Sequence, residues 1–472
     1  MRAWEKGFVV AACTALLAPL CGFAPPVTEA VGTDFIVTAA PVYAPLAEMR
    51  GRERFPRGAQ LLLVHDGKAK PLVAGFAQTA DANVSFDAER VLFAGKRAAD
   101  DPWQIWELTL RDGSVRKVTE TATDAERPFY LPGGRMVWAQ RTPTGFQIES
   151  AEDGHPPRIP FLNPTAGPGV LPLTYVRASA FPTAILADGR ILFESGFPLG
   201  EGSTPELYLV YADGSGVESY RCDHGRARWG GSQLASGDVV FTHGRSLARF
   251  TAALAHEVPI VAPQAEYAGA IAETTSGAWM VSARSAAESR YAIHLWKPGS
   301  RKMETALAER DTNLVEPVLV MPRVRPRRFP SGLHPWNYAN LLALDARMSR
   351  EGDLRRTPAT VRLESLDAQG HVVVDGTAPV ASDGSFFVKV PADRPVRFLL
   401  LDSHGAVLHR ERGWFWSRGG EQRICVGCHA GPERSAENRV PGVLLETTTP
   451  VDLTGGTLRA ETQNTLPGGK TR

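Results

Sequence analysis

Ser85-Phe86-Asp87-Ala88-Glu89-Arg90-Val91-Leu92-Phe93 is the first copy of a recurring pattern. It returns as Leu131-Pro132-Gly133-Gly134-Arg135-Met136-Val137-Trp138 and as Leu186-Ala187-Asp188-Gly189-Arg190-Ile191-Leu192-Phe193. Weaker copies stand at Leu234-Ala235-Ser236-Gly237-Asp238-Val239-Val240-Phe241 and Thr275-Ser276-Gly277-Ala278-Trp279-Met280-Val281. Each copy feeds turn-forming residues into a run of β-branched and aromatic side chains, the composition of a hairpin. Aligning Arg90, Arg135, Arg190, Asp238 and Ala278 gives steps of 45, 55, 48 and 40 residues, the range of four-stranded propeller blades. About twenty residues after the marker a second alternating run follows by the spacing of short strands, as in Trp103-Gln104-Ile105-Trp106-Glu107-Leu108 before Asp112-Gly113 and Glu206-Leu207-Tyr208-Leu209-Val210 before Asp213-Gly214. Blades of this kind cannot bury both faces alone and so stack in a ring. Leu61-Leu62-Leu63-Val64 and Val318-Leu319-Val320 are expected to supply the first and last strands, giving six blades over 31–330, with seven as the alternative count.

Composition agrees with an all-β protein. The chain has 45 Gly and 36 Pro in 472 residues, which suits many short strands joined by turns better than a helical bundle. Its 52 basic and 51 acidic side chains leave a formal charge of +1, so there is no electrostatic case for a nucleic acid or an acidic membrane surface as partner. After the basic, proline-bearing stretch Arg323-Val324-Arg325-Pro326-Arg327-Arg328 the repeat stops, and this stretch reads as a solvated interdomain linker. Residues 331–442 then show short strands at 359–364, 372–374, 385–390 and 396–401, separated by Asp375-Gly376, Asp383-Gly384 and His404-Gly405. That spacing predicts a small antiparallel β-sandwich. The Thr- and Gly-rich stretch 443–472 reads as a flexible tail.

Residues 1–30 have a secretory plan: Arg2 and Lys6 precede an apolar run from Phe8 to Leu20, and Thr28-Glu29-Ala30 offers a cleavage site. The expected location is periplasmic or secreted. Cys21 is the alternative lipidation site, and a lipid there is the only membrane attachment expected.

Of five cysteines, Cys13 and Cys21 lie in or beside this leader. Two of the remaining three form Cys425-Val426-Gly427-Cys428-His429, in which two thiols are spaced to meet the vinyl groups of one haem and a histidine follows to take the iron. One covalent haem c is expected, held by Cys425 and Cys428, with His429 as the iron ligand. A closed zinc site would need a second Cys/His pair near the motif, and a thioredoxin-type pair would need a βαβ setting. Neither is present in the sequence. The sixth iron position decides between an electron carrier and an open reactive site. His334, His409, His224 and Met321 are the candidates, and His334, within Leu333-His334-Pro335-Trp336-Asn337-Tyr338, is favoured because an aromatic-rich loop leaves the propeller there. Cys222 reads first as a small buried hydrophobe, with a zinc pair alongside His224 as the alternative.

The repeat Ser-Phe-Asp-x-x-Arg-Val-Leu-Phe, with Trp-x-Ile-Trp and Asp-Gly after it, resembles the TolB-type propeller repeat over roughly residues 55–325. A wider signature surrounds the motif: Ala381-Ser382-Asp383-Gly384-Ser385-Phe386, Val390-Pro391-Ala392-Asp393, Leu400-Leu401-Asp402, Trp414-Phe415-Trp416, Gly420-Glu421 and Glu437-Asn438-Arg439-Val440-Pro441. Together these resemble hydrazine synthase alpha subunits and their relatives. The resemblance implies a propeller followed by a β-rich domain whose c-type haem can be five-coordinate and catalytic. True synthases add a further domain with another haem, and this chain ends 30 residues after Gly442. In the synthase a tyrosine just after the motif takes the iron and the motif histidine turns to zinc. Residues 430–441 hold no tyrosine, so ordinary ligation by His429 is expected and hydrazine synthesis is not implied.

Three functions follow as expectations: a monohaem electron carrier whose propeller docks a redox partner, a haem enzyme acting on a small nitrogen or oxygen species, or a binding propeller with a structural haem. No serine-nucleophile elbow, Walker loop or metalloprotease helix is present in the sequence.

Overall fold

The computed structural model describes residues 34–152, 170–197, 199, 202, 204–221, 225–287, 289–349, 352–367, 369–427 and 434–455. These build eight four-stranded sheets. Six form a ring of blades whose innermost strands touch their neighbours in turn. In five blades the strands follow in chain order, starting at the axis with Gln78–Val84, Ala125–Tyr130, Ala180–Ile185, Arg228–Gln233 and Glu266–Glu273. The sixth combines both ends of the propeller: Asn313–Leu319 is innermost and pairs with Phe35–Ala40, which is followed outward by Gln60–His65 and Lys68–Pro71.

The blade count expected from the period holds, but the closing strand differs. Leu61–Val64 lies one place further out than expected, because Phe35–Ala40 occupies the position next to the axis-facing strand. All six residues of Phe35–Ala40 are buried. A strand covered on both faces shows no alternation, and this one has no turn pair to mark it, so periodicity does not find it.

The turn pairs behave as their chemistry requires. Gly189 has φ +85, and a Cβ there would stand 2.1 Å from the Arg327 carbonyl, so only glycine both turns the hairpin and admits the incoming chain. That chain is the basic linker. It is mostly exposed, as expected of a solvated segment, but it is also pinned across the blades. Arg323 donates from its backbone to Phe86 O (3.0 Å) and from its side chain to Val84 O (2.7 Å), Arg327 N donates to Ala187 O (3.0 Å), and Ser331 Oγ donates to Asp213 (2.7 Å).

The last two sheets face each other around a core that includes Leu341, Leu363, Phe386, Val388, Val396 and Leu400. One has the order Gln422–Cys425, Tyr338–Ala343, Phe386–Pro391, Val451–Asp452; the other has Val372–Pro379, Thr360–Leu366, Val396–Leu401, Val407–Arg410. The sandwich is not wholly antiparallel as expected, since Gln422–Cys425 and Val451–Asp452 both join parallel to their neighbours. Nor is 443–455 a loose tail. A helix spans Gly442–Glu446, Val451–Asp452 extends the sheet, and Leu453, 1 % exposed, enters the core. One buried leucine docks a stretch whose average composition is polar. Residues 456–472 lie outside the described ones, as does the leader expected at 1–30. Among the described residues no helix is long and apolar enough to cross a membrane.

The segment Trp414–Arg418 anchors the sandwich to the propeller. Trp416 packs among Leu173, Val210 and Val217 and donates its indole N–H to Gly214 O (3.0 Å). The fully buried Arg418 donates to Pro172 O (2.5 Å) and Tyr175 Oη (2.8 Å) and pairs with Asp393 (3.1 Å).

Ile36 tests the ring closure, because it is fully buried and lies between Leu63 and Val318. Replacing it with alanine is expected to lower stability by about 2–5 kcal/mol in urea denaturation, the range for truncating a core aliphatic side chain. A loss below about 0.5 kcal/mol, the scale of surface substitutions, would show that the closing strand does not hold the ring.

Candidate functional site

The strand Gln422–Cys425 forms the edge of its sheet and carries the first cysteine of the motif. It runs parallel to Tyr338–Ala343, with Ala343 opposite Cys425, and the pairing continues through Leu344 N to Cys425 O (2.9 Å) and Asp345 N to Val426 O (3.3 Å). Along this strand Cys425 packs against the sandwich core, whereas Ile424 turns outward and is 67 % exposed. Burial pushes the Cys425 thiol up, against the pull of the Arg423 guanidinium. The next residue, Val426, is 38 % exposed.

Gly427 completes the turn out of the strand. A Cβ there would lie 2.7 Å from Asp345 O and 2.8 Å from Met348 Cβ, so the glycine lets the chain at 426–427 lie close against the 345–349 turn. On the far side of the motif Arg434 forms a two-pronged pair with Asp353, at 2.6 Å through each nitrogen. Asp345 is itself held by Arg347 (2.8 and 2.7 Å), which also donates to Asp383 O (3.0 Å). Asp383 then accepts from Ser385 N (2.9 Å), Ser385 Oγ (2.6 Å), Gly442 N (2.5 Å) and Arg439. Burial opposes ionisation of Asp383, but these hydrogen bonds hold its carboxyl well below the usual carboxylate range. Both flanks of the motif are thus tied to one rigid corner of the sandwich.

Cys428 and His429 lie outside the described residues, as do Cys222 and His224. The described His334 is not brought to Cys425. It is exposed, and its backbone N donates to Gly419 O (3.1 Å) at the opposite end of the same strand pair. His334 instead begins a stacked ladder, 4.9 Å from Trp336, which lies 5.2 Å from Tyr338. Met321 lines a cavity in the propeller, and His409 lies on the second sheet opposite Leu400. Among the described residues no three metal-ligating side chains cluster.

Sequence reasoning missed a second polar centre, at the propeller axis. Arg54 pairs with Glu48 (3.1 Å), Asp81 and Glu316; Arg127 pairs with Glu48 (2.5 Å) and Glu194 and stacks over Phe181. Although burial opposes it, Arg127 and Arg54 hold the Glu48 carboxyl down at about 2. Burial pushes Glu316 up to about 7 against Arg54, and pushes Glu126 up with help from Glu48. The overlooked signal was charge inside strand runs, as in Ala80-Asp81-Ala82 and Val315-Glu316-Pro317.

Comparison with known proteins bears on the sandwich most directly. Residues 351–430, which include the motif, match the family described as the hydrazine synthase alpha subunit middle domain. Hydrazine synthase of Kuenenia stuttgartiensis aligns over 88 % of this chain and 71 % of its own, with TM-score 0.75 and 16 % identity. TolB from Acinetobacter baumannii aligns over 61 % and 67 %, with TM-score 0.46 and 13 % identity. No curated protein sequence matches the chain. The fold defines a class: a six-bladed propeller followed by a β-sandwich that, over residues 351–430, matches the middle domain of hydrazine synthase alpha subunits. Through that domain the chain is related to the hydrazine synthase alpha subunits.

Asp383 tests how the corner is held. Replacement by asparagine is expected to lower amide protection of Gly442 by at least about tenfold at neutral pH in hydrogen exchange, since one charged acceptor serves several donors. In the unchanged protein the folded-state value lies below the unfolded one of about 3.9. The contribution is therefore complete above about pH 4 and is lost as pH falls toward the folded value. Unaltered protection in the variant would show that Asp383 does not hold the corner.

Proposed function

We propose that the protein is an exported monohaem c-type cytochrome, with one haem c bonded through Cys425 and Cys428, iron ligated by His429, and a propeller that docks a redox partner protein. One observation carries this reading: the Cys-x-x-Cys-His motif leaves a rigid edge strand whose apolar Ile424 and Val426 stand uncovered beside Cys425. The residues present fit the group. Cys425 is free, burial keeps its thiol protonated at neutral pH, and a protonated thiol adds across a vinyl group with no leaving atom. Bound there, haem c supplies one-electron exchange between ferric and ferrous iron. The chain orients it: the 345–349 turn fixes the path of the motif, and Arg423 places a positive charge near the first thioether position. The leader at 1–30 directs the chain to the periplasm or outside the cell, and the near-zero net charge gives no reason to involve nucleic acid.

A second reading has its own support. The match to hydrazine synthase runs through both propeller and sandwich, and that protein is by its name an enzyme. The described residues do not bring His334 to Cys425, so on this reading no sixth ligand is assigned. On this reading the iron stays open to a small nitrogen or oxygen species as substrate, and hydrazine synthesis itself is not proposed.

Two measurements decide these points. The protein expressed with haem-attachment machinery is expected to keep its haem through acidified acetone, and replacing Cys425 and Cys428 with alanine is expected to abolish that. Haem still attached in the double variant would refute the proposal. A ferrous spectrum unchanged by carbon monoxide would support the electron carrier. A shifted Soret band would overturn it in favour of the open-site enzyme.

A further inference from the structure

The first strand of every blade breaks register at one point near the axis: between Ala80 and Asn83, Glu126 and Phe129, Pro182 and Ala184, Trp229 and Ser232, and Ala268 and Ala272, and at Ile36/Thr38 opposite Glu316. Such bulges re-aim side chains. In five blades the bulge carries a residue of positive φ: Asp81, Arg127, Gly230, Gly269 and Glu316. Three of these aim charge at the axis, and the two glycines leave room. A Cβ on Gly269 would stand 3.5 Å from Glu316 Cγ and 3.9 Å from the Tyr43 hydroxyl.

Residues 41–59 fill one end of the ring, setting Glu48 and Arg54 among the bulge residues and packing Tyr43 and Phe55 beside Trp229 and Tyr291. Across the other end runs the pinned linker. Between them lies a cavity of about 490 Å³, with Tyr43 and Arg54 at one side and Met321, Arg323 and Val324 of the linker at the other. This is the size of a small-ligand pocket. Its walls are apolar, formed by Phe129, Ile185, Leu234, Ile271, Val318 and the indole of Trp229. Its floor is acidic: the two guanidinium groups face Glu48, Asp81, Glu194 and Glu316.

Most of the floor is committed. Asp81 spends one oxygen on Arg54 and the other on Arg127 N, while Glu194 spends its two on Arg127 and Gly230 N. Glu316 is different. Oε1 accepts from Arg54, but Oε2 accepts nothing among the described residues. The Tyr43 hydroxyl likewise has no hydrogen-bond partner there, and the ring makes only aromatic contacts with Phe55 and Tyr291. One uncommitted acceptor and one uncommitted hydroxyl therefore converge on an acidic floor beneath hydrocarbon walls. A metal ion would waste the walls, and an anion would meet surplus carboxylate.

We propose that the axial cavity of the propeller binds a small organic cation, a protonated amine on an apolar body, with Glu316 Oε2 and the Tyr43 hydroxyl receiving the ammonium group and the walls enclosing the hydrocarbon. This site is separate from the haem motif and does not depend on it. Trp229 also lines the cavity, and aromatic rings attract cations.

Calorimetric titration of the full chain with benzylammonium chloride tests the site, with benzyl alcohol as the uncharged counterpart. Saturable one-to-one binding is expected for the amine and none for the alcohol. Glu316→Gln is expected to weaken the amine by at least about tenfold, and Tyr43→Phe, which deletes only the hydroxyl, by at least about threefold. The groups facing Glu316 are Arg54, Asp81, Arg127, Glu48 and Tyr43. With Glu316 pushed up to about 7 by burial, lowering the pH from about 8 to about 6 restores its proton and is expected to weaken the amine, while Glu316→Gln loses that dependence. Thermal melting of both variants checks folding. The absence of saturable binding, equal binding of the alcohol, or an unchanged affinity in both folded variants would overturn the proposal.

Discussion

Pairing of Phe35–Ala40 with Asn313–Leu319 converts a row of sheets into a ring. A blade left at the end of an open row exposes one whole face, and hydrophobic area removed from water is the main favourable term in folding. Closure joins segments more than 270 residues apart, but the entropic cost of a loop grows only with the logarithm of its length. The cost is borne once, and the burial is gained by all six blades. Closure also fixes where the chain must leave: just after the axis-facing strand, at the end where the linker crosses toward Ala187 and Asp213.

The ring leaves an axis to fill, and the protein fills it in part with charge. Ions taken from water lose hydration that must be restored by good geometry. Arginine supplies that geometry through its planar fork of donors, and Arg54 and Arg127 each bridge carboxylates contributed by different blades and by the 41–59 segment. Burial pushes Glu126 and Glu316 up, with neighbouring carboxyls adding to it, so both take protons more readily. The network links the inner strands to the segment that plugs them.

The sequence revealed what is local. Turn pairs such as Asp188-Gly189 mark hairpins because only certain residues take their dihedral angles, so the blade period was visible from one end of the ring to the other. The Cys-x-x-Cys-His pattern at 425–429 was visible for a similar reason: it is contained in five consecutive residues. What escaped is tertiary. Phe35–Ala40 is buried on both faces and looks like any apolar run. The parallel partners Gln422–Cys425 and Val451–Asp452 are separated from their neighbours by long stretches of chain, with no hairpin to announce them. His334 fell where an aromatic loop was expected, but the direction of that loop placed it at the far end of the strand from Cys425. Asp81, Arg127 and Glu316 looked like exceptions within strands, and only the ring shows that they meet.

The position of Cys425 also bears on timing. Its strand is at the sheet edge, joins in parallel, and finds its partner some eighty residues back along the chain. Non-local parallel pairing is slow to form. The hairpins of the sandwich pair locally, whereas Gln422–Cys425 needs a distant partner strand, on which Cys425 packs partly buried against the core. An edge strand paired at this sequence distance is the part of the sandwich whose formation waits on the rest of the chain.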